Sequence, residues 1–516
     1  MQNIAAKLKN TKIPTKVLYG LIGITIISVL IAFIRWMYYL SVDYFYMIPT
    51  GKYIVQHGVP TTHTHHILPI NTIIQQWLYC VYLYAIHNLG QIGMITSILV
   101  TLFAIFYMQY KLFKETDAPK PQIIIAVFLS AVLSGYATLQ LLTIRPEAIT
   151  ILLVFIEIYC IEKFFKTNKP LYVYVLPFLM LLEINVHGSM WIIHYIALLP
   201  YIVPNVLPHF CTKGDMNKSH IKHLGISVLL MTAAMLANPY GIKMPMYLID
   251  TFRAHTFDYV DITEIAKPEI CSLQGLYTVL IVALVCFLLT KKKTKISSMY
   301  AIAGYTLMSV TAYRNIVFVY IAMTYLTREI LETTKTSLTF DIDIKKESNV
   351  INTALLCVIS AVCIYMIHPL FTSNDLTVQT MGPTEIINYL NENTTKDAHI
   401  YTGINSGSFL EYAEYKTYMD SRPELYTNEI GKTGNILYEY KYFGCHDSSI
   451  DLPSDKAYEE YINKYDFSYF IIDCEFRMKN YLDAHPDKYK YIMQDGAFFL
   501  YEKTTNSNTT PTHNAA

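Results

Sequence analysis

The feature that most constrains the fold of this chain is a series of apolar runs, most of them roughly 16 to 22 residues long. A helix needs about 20 apolar residues to cross a bilayer, so each run is a candidate membrane span. The pattern therefore predicts a polytopic α-helical membrane protein with about eleven transmembrane helices. We place the spans at residues 17–40, 92–111, 121–142, 147–165, 171–186, 189–206, 223–241, 273–290, 297–312, 314–331 and 350–368.

The composition agrees with a membrane protein and excludes one class of partner. Of the 516 residues, 53% are hydrophobic and 16% are charged, whereas soluble domains have about 25% charged residues. The 40 basic side chains balance the 40 acidic ones, so no net field attracts nucleic acid. The cysteines lack a C-x-x-C motif and are typical of small core residues. Cys445 and Cys474 lie in the polar C-terminal part and could pair, which the sequence alone does not decide.

The connections between the runs predict an orientation in the membrane. Residues 1–16 are basic and precede a run that is too long for a signal-peptide core, so we expect a retained first span. Lysine and arginine favour the cytoplasmic side of a membrane. The lysine-rich connections all lie on the side of the N-terminus if segment 72–88 is a re-entrant or interfacial helix. We therefore expect a cytoplasmic N-terminus and an external C-terminal domain.

The sequence divides into four parts. Residues 1–16 are predicted as a cytoplasmic tail, 17–369 as a multi-pass transmembrane domain with an external loop at 41–71, 370–503 as an extracytoplasmic α/β domain, and 504–516 as a disordered tail. In the α/β domain, Asp495-Gly496 predicts a β-hairpin over 489–503, and Ser454 is the predicted N-cap of a helix. A further helix at 382–393 alternates with predicted strands at 398–404, 416–420 and 467–473.

Ionisable residues gather at the external ends of the apolar runs. Asp43 follows the first run, and Arg145, His187 and Arg314 lie in short external connections. Ionisable residues at membrane depth are costly and indicate function by default. Each of them alone could instead be an interfacial residue whose charged end extends to water, but their common side favours a shared site. We expect Arg145, His187, Glu264 and Arg314 to converge with Asp43 on one external cavity.

Several short motifs occur in one order between Asp43 and Tyr426. After Asp43 come Gly51, Gly58-Val-Pro60, "QQWL", "RP", "NVHG", "NPYG", "TEIAKP", "YRN" and "YMDSRPELY". This series resembles bacterial multi-pass proteins of the GT-C glycosyltransferase superfamily. The resemblance implies a GT-C-like fold in the bacterial inner membrane. It also implies transfer of a sugar from a polyprenyl-phosphate carrier to a glycan, lipid or protein acceptor on the external face. In that family the catalytic acid lies in the first external loop, at the position that Asp43 matches.

The chemistry of such a transfer assigns roles to these residues. A lipid-phosphate donor keeps its sugar at the membrane surface, and a carboxylate among aromatic groups suits the general base that deprotonates an acceptor hydroxyl. Asp43 is therefore the predicted catalytic residue. The leaving phosphate needs positive or hydrogen-bonding side chains, for which arginine has the best geometry. The candidate substrate-binding residues are Lys52, His63, Gln76, Arg145, Glu147, His187, Asn238, Glu264, Arg314 and Asn315.

The sequence departs from the family pattern at two acidic positions. His63 stands where a second aspartate is expected, and "QQWL" stands where "HEWL" is expected. No cofactor is certain from the sequence. His63, His65 and His66 are candidate ligands for a divalent metal ion, with hydrogen bonding in the site or a plain polar loop as the alternatives. Asp420 and Arg422 either act in catalysis by folding over the membrane loops or pair within their own domain.

Two other functions are compatible with the same pattern. A non-catalytic envelope-assembly protein would keep the fold without the full set of acids. A transporter of lipid-linked sugars would show inverted repeats and broken helices at the membrane midplane. The sequence contains no detectable internal repeat, and its polar residues gather at one face, so the transferase is the preferred hypothesis.

Overall fold

The computed structural model describes residues 42–206, 216–253, 268–269, 272–289, 296–334, 382–432, 434–445, 451–473 and 475–504. Its chain is mostly helical and contains a four-stranded sheet. Several predictions concern other residues. The first and last predicted spans, the candidate residue Glu264, Cys474 and nearly all of the predicted C-terminal tail lie outside the described residues.

The helices and strands follow one another along the chain with short connections. The helices are α1 (Asp43–His57), α2 (Trp77–His87), α3 (Gly90–Lys114), α4 (Lys120–Ser134), α5 (Tyr136–Gln140), α6 (Glu147–Thr167), α7 (Leu176–Val186), α8 (Ile192–Val206), α9 (Lys218–Ala234), α10 (Lys243–Arg253), α11 (Leu273–Leu289), α12 (Ile296–Ser309), α13 (Val319–Thr334), α14 (Thr384–Asn393), α15 (Ile404–Tyr412), α16 (Ile436–Gly444), α17 (Asp455–Tyr465) and α18 (Phe476–Ala484). The strands are β1 (Ile400–Thr402), β2 (Tyr469–Ile472), β3 (Tyr489–Asp495) and β4 (Phe498–Lys503). Short 3-10 segments occupy Pro170–Val175, Gly188–Met190, Tyr313–Phe318 and Pro423–Tyr426.

Backbone contacts group the chain into two compact units. The described residues of the first, the helical unit, lie within Ala85–Asn238 and Thr263–Leu376. The second, the α/β unit, comprises Val42–Tyr84, Pro239–Ile262 and Thr377–Ala516. From residue 42 onward, the loop predicted at 41–71 therefore belongs to the same unit as the C-terminal residues.

Apolar helices build the helical unit, and each predicted run between residues 90 and 334 contains one of them. α3 packs against α6, and α8 packs against α12. α6 ends where Asn168 adopts a left-handed conformation with φ of 54°, which is a common way for a helix to stop. Within the described residues, α3 alone is both long and apolar enough to cross a membrane; shorter apolar helices lie at 120–134, 170–186 and 274–286. The predicted number of spans stays a prediction.

The sheet of the α/β unit has the strand order β1-β2-β4-β3. β1 pairs in parallel with β2, with Ile400 opposite Tyr469, and the other two pairings are antiparallel. β3 and β4 form the predicted hairpin, whose turn places Gly496 at a φ of 58°, where glycine is favoured. Ser454 caps α17, because its Oγ accepts a hydrogen bond from the Ala457 N–H at 3.3 Å. The strand predicted at 416–420 instead makes isolated bridges, from Thr417 to His66 and to Ile400.

Aromatic side chains form most of the core of the α/β unit. Tyr401, Tyr418 and Phe467 are fully buried between the sheet and the helices that cover it. All three stretches of the unit contribute to this core. Ile70 comes from the first stretch and Tyr247 from the second, and the other residues come from the C-terminal stretch. α1 packs on α15, where the Phe45 and Phe409 ring centroids lie 4.4 Å apart. This packing fixes α1 and its first residue, Asp43, against the C-terminal part of the unit.

Candidate functional site

A cluster of four side chains, three of them buried, lies where segment 420–422 meets α15 and the loop that follows α1. Glu411 and Asp420 are 0% exposed, and His63 is 7% exposed. His63 Nδ1 accepts a hydrogen bond from the His65 backbone N–H at 3.2 Å, so we place the ring proton on Nε2. Nε2 then donates to Asp420 Oδ2 at 2.9 Å. Two residues that are 357 positions apart in sequence thus share one buried hydrogen bond.

The guanidinium of Arg422 is the fourth member of the cluster. Its Nη2 lies 2.6 Å from Asp420 Oδ2, 3.2 Å from both carboxyl oxygens of Glu411 and 2.7 Å from His63 Nε2. The Nε–H and the backbone N–H of Arg422 both donate to Asp420 Oδ1, at 3.1 and 2.7 Å. The Tyr46 ring covers the guanidinium at 4.2 Å, a cation–π contact. Asp420 and Arg422 therefore pair within their own segment and also bind residues of the stretch 42–84.

The charges of the cluster follow from burial and from these contacts. Burial and then the charge of Asp420 raise the pKa of Glu411 well above its usual range. Burial alone would raise the pKa of Asp420, but the Arg422 guanidinium and hydrogen bonds from His63 and Glu411 lower it well below its usual range. Burial and the nearby guanidinium lower the pKa of His63 to about 3. At neutral pH the cluster therefore holds one carboxylate, one guanidinium and two neutral side chains, and it has no net charge.

The cluster resembles a metal site in its donor atoms. His63, Glu411 and Asp420 each offer a ligand atom, and these atoms lie within 4.8 Å of one another. However, Nη2 of Arg422 donates to both carboxyl groups and lies 2.7 Å from His63 Nε2, so a positively charged group already stands among the three side chains. The residues therefore do not fit a metal ion while the guanidinium is in place. Arginine supplies the positive charge that the Asp420 carboxylate requires.

Asp43 lies beside this cluster. It is the first residue of α1, whose N-cap is Val42, and no side chain caps the helix. The Asp43 carboxylate instead accepts a hydrogen bond from Ser421 Oγ at 3.2 Å. Tyr46 is three residues further along α1, on the same face of the helix, and its Oη accepts a hydrogen bond from Gln76 Nε2 at 2.5 Å. The predicted residues Asp43 and His63 thus contact segment 420–422 directly. Gln76 is linked to this segment through Tyr46, whose ring covers Arg422.

The remaining candidates in the stretch 42–84 have structural contacts. Lys52 forms an ion pair with Glu414. His66 donates from Nε2 to the Tyr418 carbonyl oxygen at 2.8 Å and accepts at Nδ1 from the Leu68 N–H at 2.9 Å. His65 Nδ1 lies 2.9 Å from the Thr64 hydroxyl. Both ring nitrogens of His66 are used by the backbone, so His66 joins two segments of the unit and has no nitrogen left for a metal ion.

In the helical unit, four of the predicted residues interact electrostatically. Glu147 is influenced by His187, Arg145 and Arg314. His187 is influenced by Glu147, Arg145 and Arg314, and also by Glu183. Glu147 is the first residue of α6, His187 follows α7, and Arg314 lies in the 3-10 segment before α13. The structure thus brings Arg145, Glu147, His187 and Arg314 together. Their convergence with Asp43 and Glu264 stays a prediction.

The two asparagines of the predicted site make local hydrogen bonds. Asn238 Nδ2 donates to the Met235 carbonyl oxygen at 2.8 Å, just after α9. Asn315 is buried and donates to Thr311 Oγ1 at 2.7 Å. These bonds stabilise the turns that carry the "NPYG" and "YRN" motifs. A role of Asn238 and Asn315 in substrate binding stays a prediction.

Sequence reasoning missed several buried polar residues. Glu411 lies in a short helix without a motif, nine positions before Asp420. Glu157, Glu183 and His194 lie inside predicted spans and not at their external ends, and all three are 0% exposed. An acidic residue within an apolar run, as in "LLVFIEIYC" and "LMLLEINV", is itself a signal of function. That signal could have identified Glu157 and Glu183 without a structure.

Comparisons with known proteins find similarity among solved structures. No family model matches the chain, and no curated protein matches it. Its structure is similar to the single-particle cryo-EM structure of arabinofuranosyltransferase AftD from Mycobacteria, with a TM-score of 0.49 and 10% sequence identity. The match covers 96% of this chain and 40% of the AftD chain, so this chain spans less than half of that protein. A similarity of this extent leaves the activity to be inferred from the residues.

Proposed function

We propose that the chain is a GT-C type membrane glycosyltransferase that moves a sugar from a polyprenyl-phosphate carrier to a cell-envelope acceptor on the external face. Asp43 is the general base that removes the proton of the acceptor hydroxyl. The protein crosses the inner membrane about eleven times, with the N-terminus in the cytoplasm. Its partners are the lipid bilayer, the lipid-linked sugar donor and a glycan, lipid or protein acceptor.

The observation that carries the proposal is the support given to Asp43. Its carboxylate accepts a hydrogen bond from Ser421, and both neighbours of Ser421 belong to the buried cluster with Glu411 and His63. A base is effective when the surrounding structure holds it in one orientation before the substrate arrives. The neutral, buried cluster has the rigidity that this role requires.

Two basic side chains of the α/β unit already have acidic partners, so they are not assigned to the phosphate. Arg422 is bound by two carboxyl groups, and Lys52 is paired with Glu414. We therefore assign binding of the leaving phosphate to Arg145 and Arg314 of the helical unit, with His187 nearby. Arginine can bind two phosphate oxygens at once through its planar guanidinium. Arg314 is exposed, as a residue that meets a substrate should be.

The test of this proposal is the variant Asp43→Asn, assayed for transfer from polyprenyl-phosphate sugars by the purified, lipid-reconstituted chain. Asparagine keeps the shape of the side chain and the bond from Ser421 but cannot accept the proton, so transfer should fall by ~10²–10⁴-fold. The matched control is Asp397→Asn, because Asp397 has a side chain that is 85% exposed and pairs only with Lys416 among the described residues.

Two results would contradict the proposal. Undiminished transfer by a well-folded Asp43→Asn variant would exclude Asp43 as the base. Absence of transfer by the unsubstituted chain from a panel of polyprenyl-phosphate sugars would favour the non-catalytic assembly protein. Movement of the lipid-linked sugar across a vesicle membrane without transfer would favour the transporter.

A further inference from the structure

A line of polar side chains runs through the interior of the helical unit, starting at His187. His187 Nδ1 lies 3.0 Å from Thr150 Oγ1, and the Thr150 hydroxyl donates to Glu183 Oε1 at 2.8 Å. Because the Thr150 proton is directed to Glu183, the Thr150 oxygen accepts the Nδ1 proton of His187. The two hydrogen bonds therefore point in the same direction, from His187 towards Glu183.

The line continues into a buried triad of Glu183, His194 and Glu157. His194 Nδ1 lies 2.5 Å from Glu157 Oε2, and its Nε2 lies 3.4 Å from Glu183 Oε2. All three side chains are 0% exposed. Glu157 Oε1, Glu183 Oε2 and His194 Nε2 have no hydrogen-bond partner among the residues that the structure describes. Buried polar atoms normally have partners, and the two carboxyl oxygens of this set are atoms that can bind a proton.

A count of charges leads to the same conclusion. With both carboxyl groups ionised and His194 protonated, the triad carries one net negative charge in an apolar interior, which is costly. Beyond Thr150 and His187, which face Glu183, lie Glu147, Arg145 and Arg314. The other titratable groups that interact electrostatically with Glu157 are neutral near pH 7. They therefore do not compensate the negative charge of the triad. They are Cys160, Tyr195, Tyr201, Tyr305 and Tyr325.

We propose that Glu157, Glu183 and His194 form a buried proton-binding site that exchanges protons with His187 through Thr150. In one transfer, His187 Nε2 binds a proton from the aqueous phase and Nδ1 releases its proton to the Thr150 oxygen. The Thr150 hydroxyl proton passes to the Glu183 carboxylate, and the O–H bond of Glu183 forms. One proton enters and one proton reaches the triad, while His187 and Thr150 stay neutral. The triad becomes electrically neutral by this uptake.

The site is tested by infrared difference spectroscopy of the full chain in lipid nanodiscs during a change of pH. A protonated carboxylic acid has a carbonyl stretching band that a carboxylate lacks. We expect a pH-dependent band of this kind that is lost in Glu183→Gln and weakened or shifted in Glu157→Gln. Identical difference bands in both variants and the unsubstituted chain would overturn the proposed site.

The link to His187 is tested by the rate at which this band responds to a pH jump. Thr150→Val removes the hydroxyl and should slow the response roughly tenfold or more, whereas Thr150→Ser should restore it. Thr306→Val is the matched control, because Thr306 is also buried in a helix but donates only to the Ile302 carbonyl of its own helix. His187→Gln should slow the response as Thr150→Val does.

The outcome for the proton-binding site and the outcome for the path through Thr150 are independent of each other. Equal rates in Thr150→Val, His187→Gln and Thr306→Val would overturn the path through Thr150 even if the triad binds protons. The measurement uses no sugar donor, so its failure is distinguishable from failure of the glycosyltransferase proposal. If Thr150→Val does not fold, the comparison of His187→Gln with the unsubstituted chain decides the path.

Discussion

At the scale of single residues, Arg422 organises the α/β unit. Its guanidinium binds Asp420 and Glu411 and lies under the Tyr46 ring, so one side chain joins α1, α15 and segment 420–422. A planar guanidinium with five N–H donors can hold several acceptors at fixed angles. An ammonium group in this place would lack that geometry. The buried charge is tolerated because Asp420 compensates it at short range.

Loss of the charge of Asp420 should therefore destabilise the protein. Asp420→Asn keeps the size of the side chain but leaves the guanidinium, whose side chain is only 12% exposed, with Glu411 as its remaining acidic partner. We therefore expect a loss of about 3 kcal/mol in the free energy of unfolding. Asp397→Asn removes a carboxylate from an exposed pair and should leave stability nearly unchanged. Thermal unfolding of the purified chain measures both, and similar midpoints for the two variants would contradict the role of the cluster.

The buried side chain of His63 makes the free energy of unfolding depend on pH. Burial and Arg422 lower the pKa of His63 to about 3, whereas an unfolded histidine has a pKa of about 6.5. Between these values the unfolded chain binds a proton that folded His63 does not, so stability falls as the pH falls from about 6.5 to about 3. His63→Asn should flatten this dependence, measured as the unfolding midpoint at several pH values. The exposed His57 gives the control His57→Asn, and equal slopes in both variants would refute the assignment.

At the scale of helices and strands, the sequence predicts the elements better than it predicts their partners. Apolar runs predicted helices between residues 90 and 334, and Asp495-Gly496 predicted the hairpin, because both signals are local. Glu411 and Glu157 could not be placed in clusters this way. Their partners, Asp420 and His194, come from other elements, and side-chain pairing across such distances leaves no periodicity in the sequence.

The approach of α15 to segment 420–422 depends on Gly407. A Cβ atom at this position would overlap the Met419 carbonyl oxygen, and Glu411 lies one helical turn further along α15. Gly407→Ala should separate the two segments and cost about 1–3 kcal/mol of stability. Gly225→Ala in α9 is the control, because no atom lies within 4 Å of the added methyl group and alanine favours a helix. Equal unfolding midpoints for the two variants would show that the packing at Gly407 is dispensable.

At the scale of the whole molecule, orientation in the membrane is the main prediction that the sequence makes. The lysine-rich connections lie on one predicted side, which places residues 370–516 outside the cytoplasm. A cysteine at Lys456 in α17, an exposed position, should react with a membrane-impermeant reagent in intact cells. A cysteine at Lys120, at the start of α4, should react only after the cells are opened. The reverse pattern would invert the topology.

The joining of distant segments in the α/β unit has a consequence for biosynthesis. Asp43 and Ser421 are 378 positions apart, and His63 and Asp420 are 357 positions apart. At about 5–20 residues per second, a ribosome needs roughly 20 to 75 seconds to make the chain between them. During that interval α1 and the loop that follows it have left the ribosome, but the segment that holds them does not yet exist. A nascent chain that stops before residue 420 therefore exposes unsatisfied aromatic and polar groups, and quality-control proteases can recognise it as incomplete.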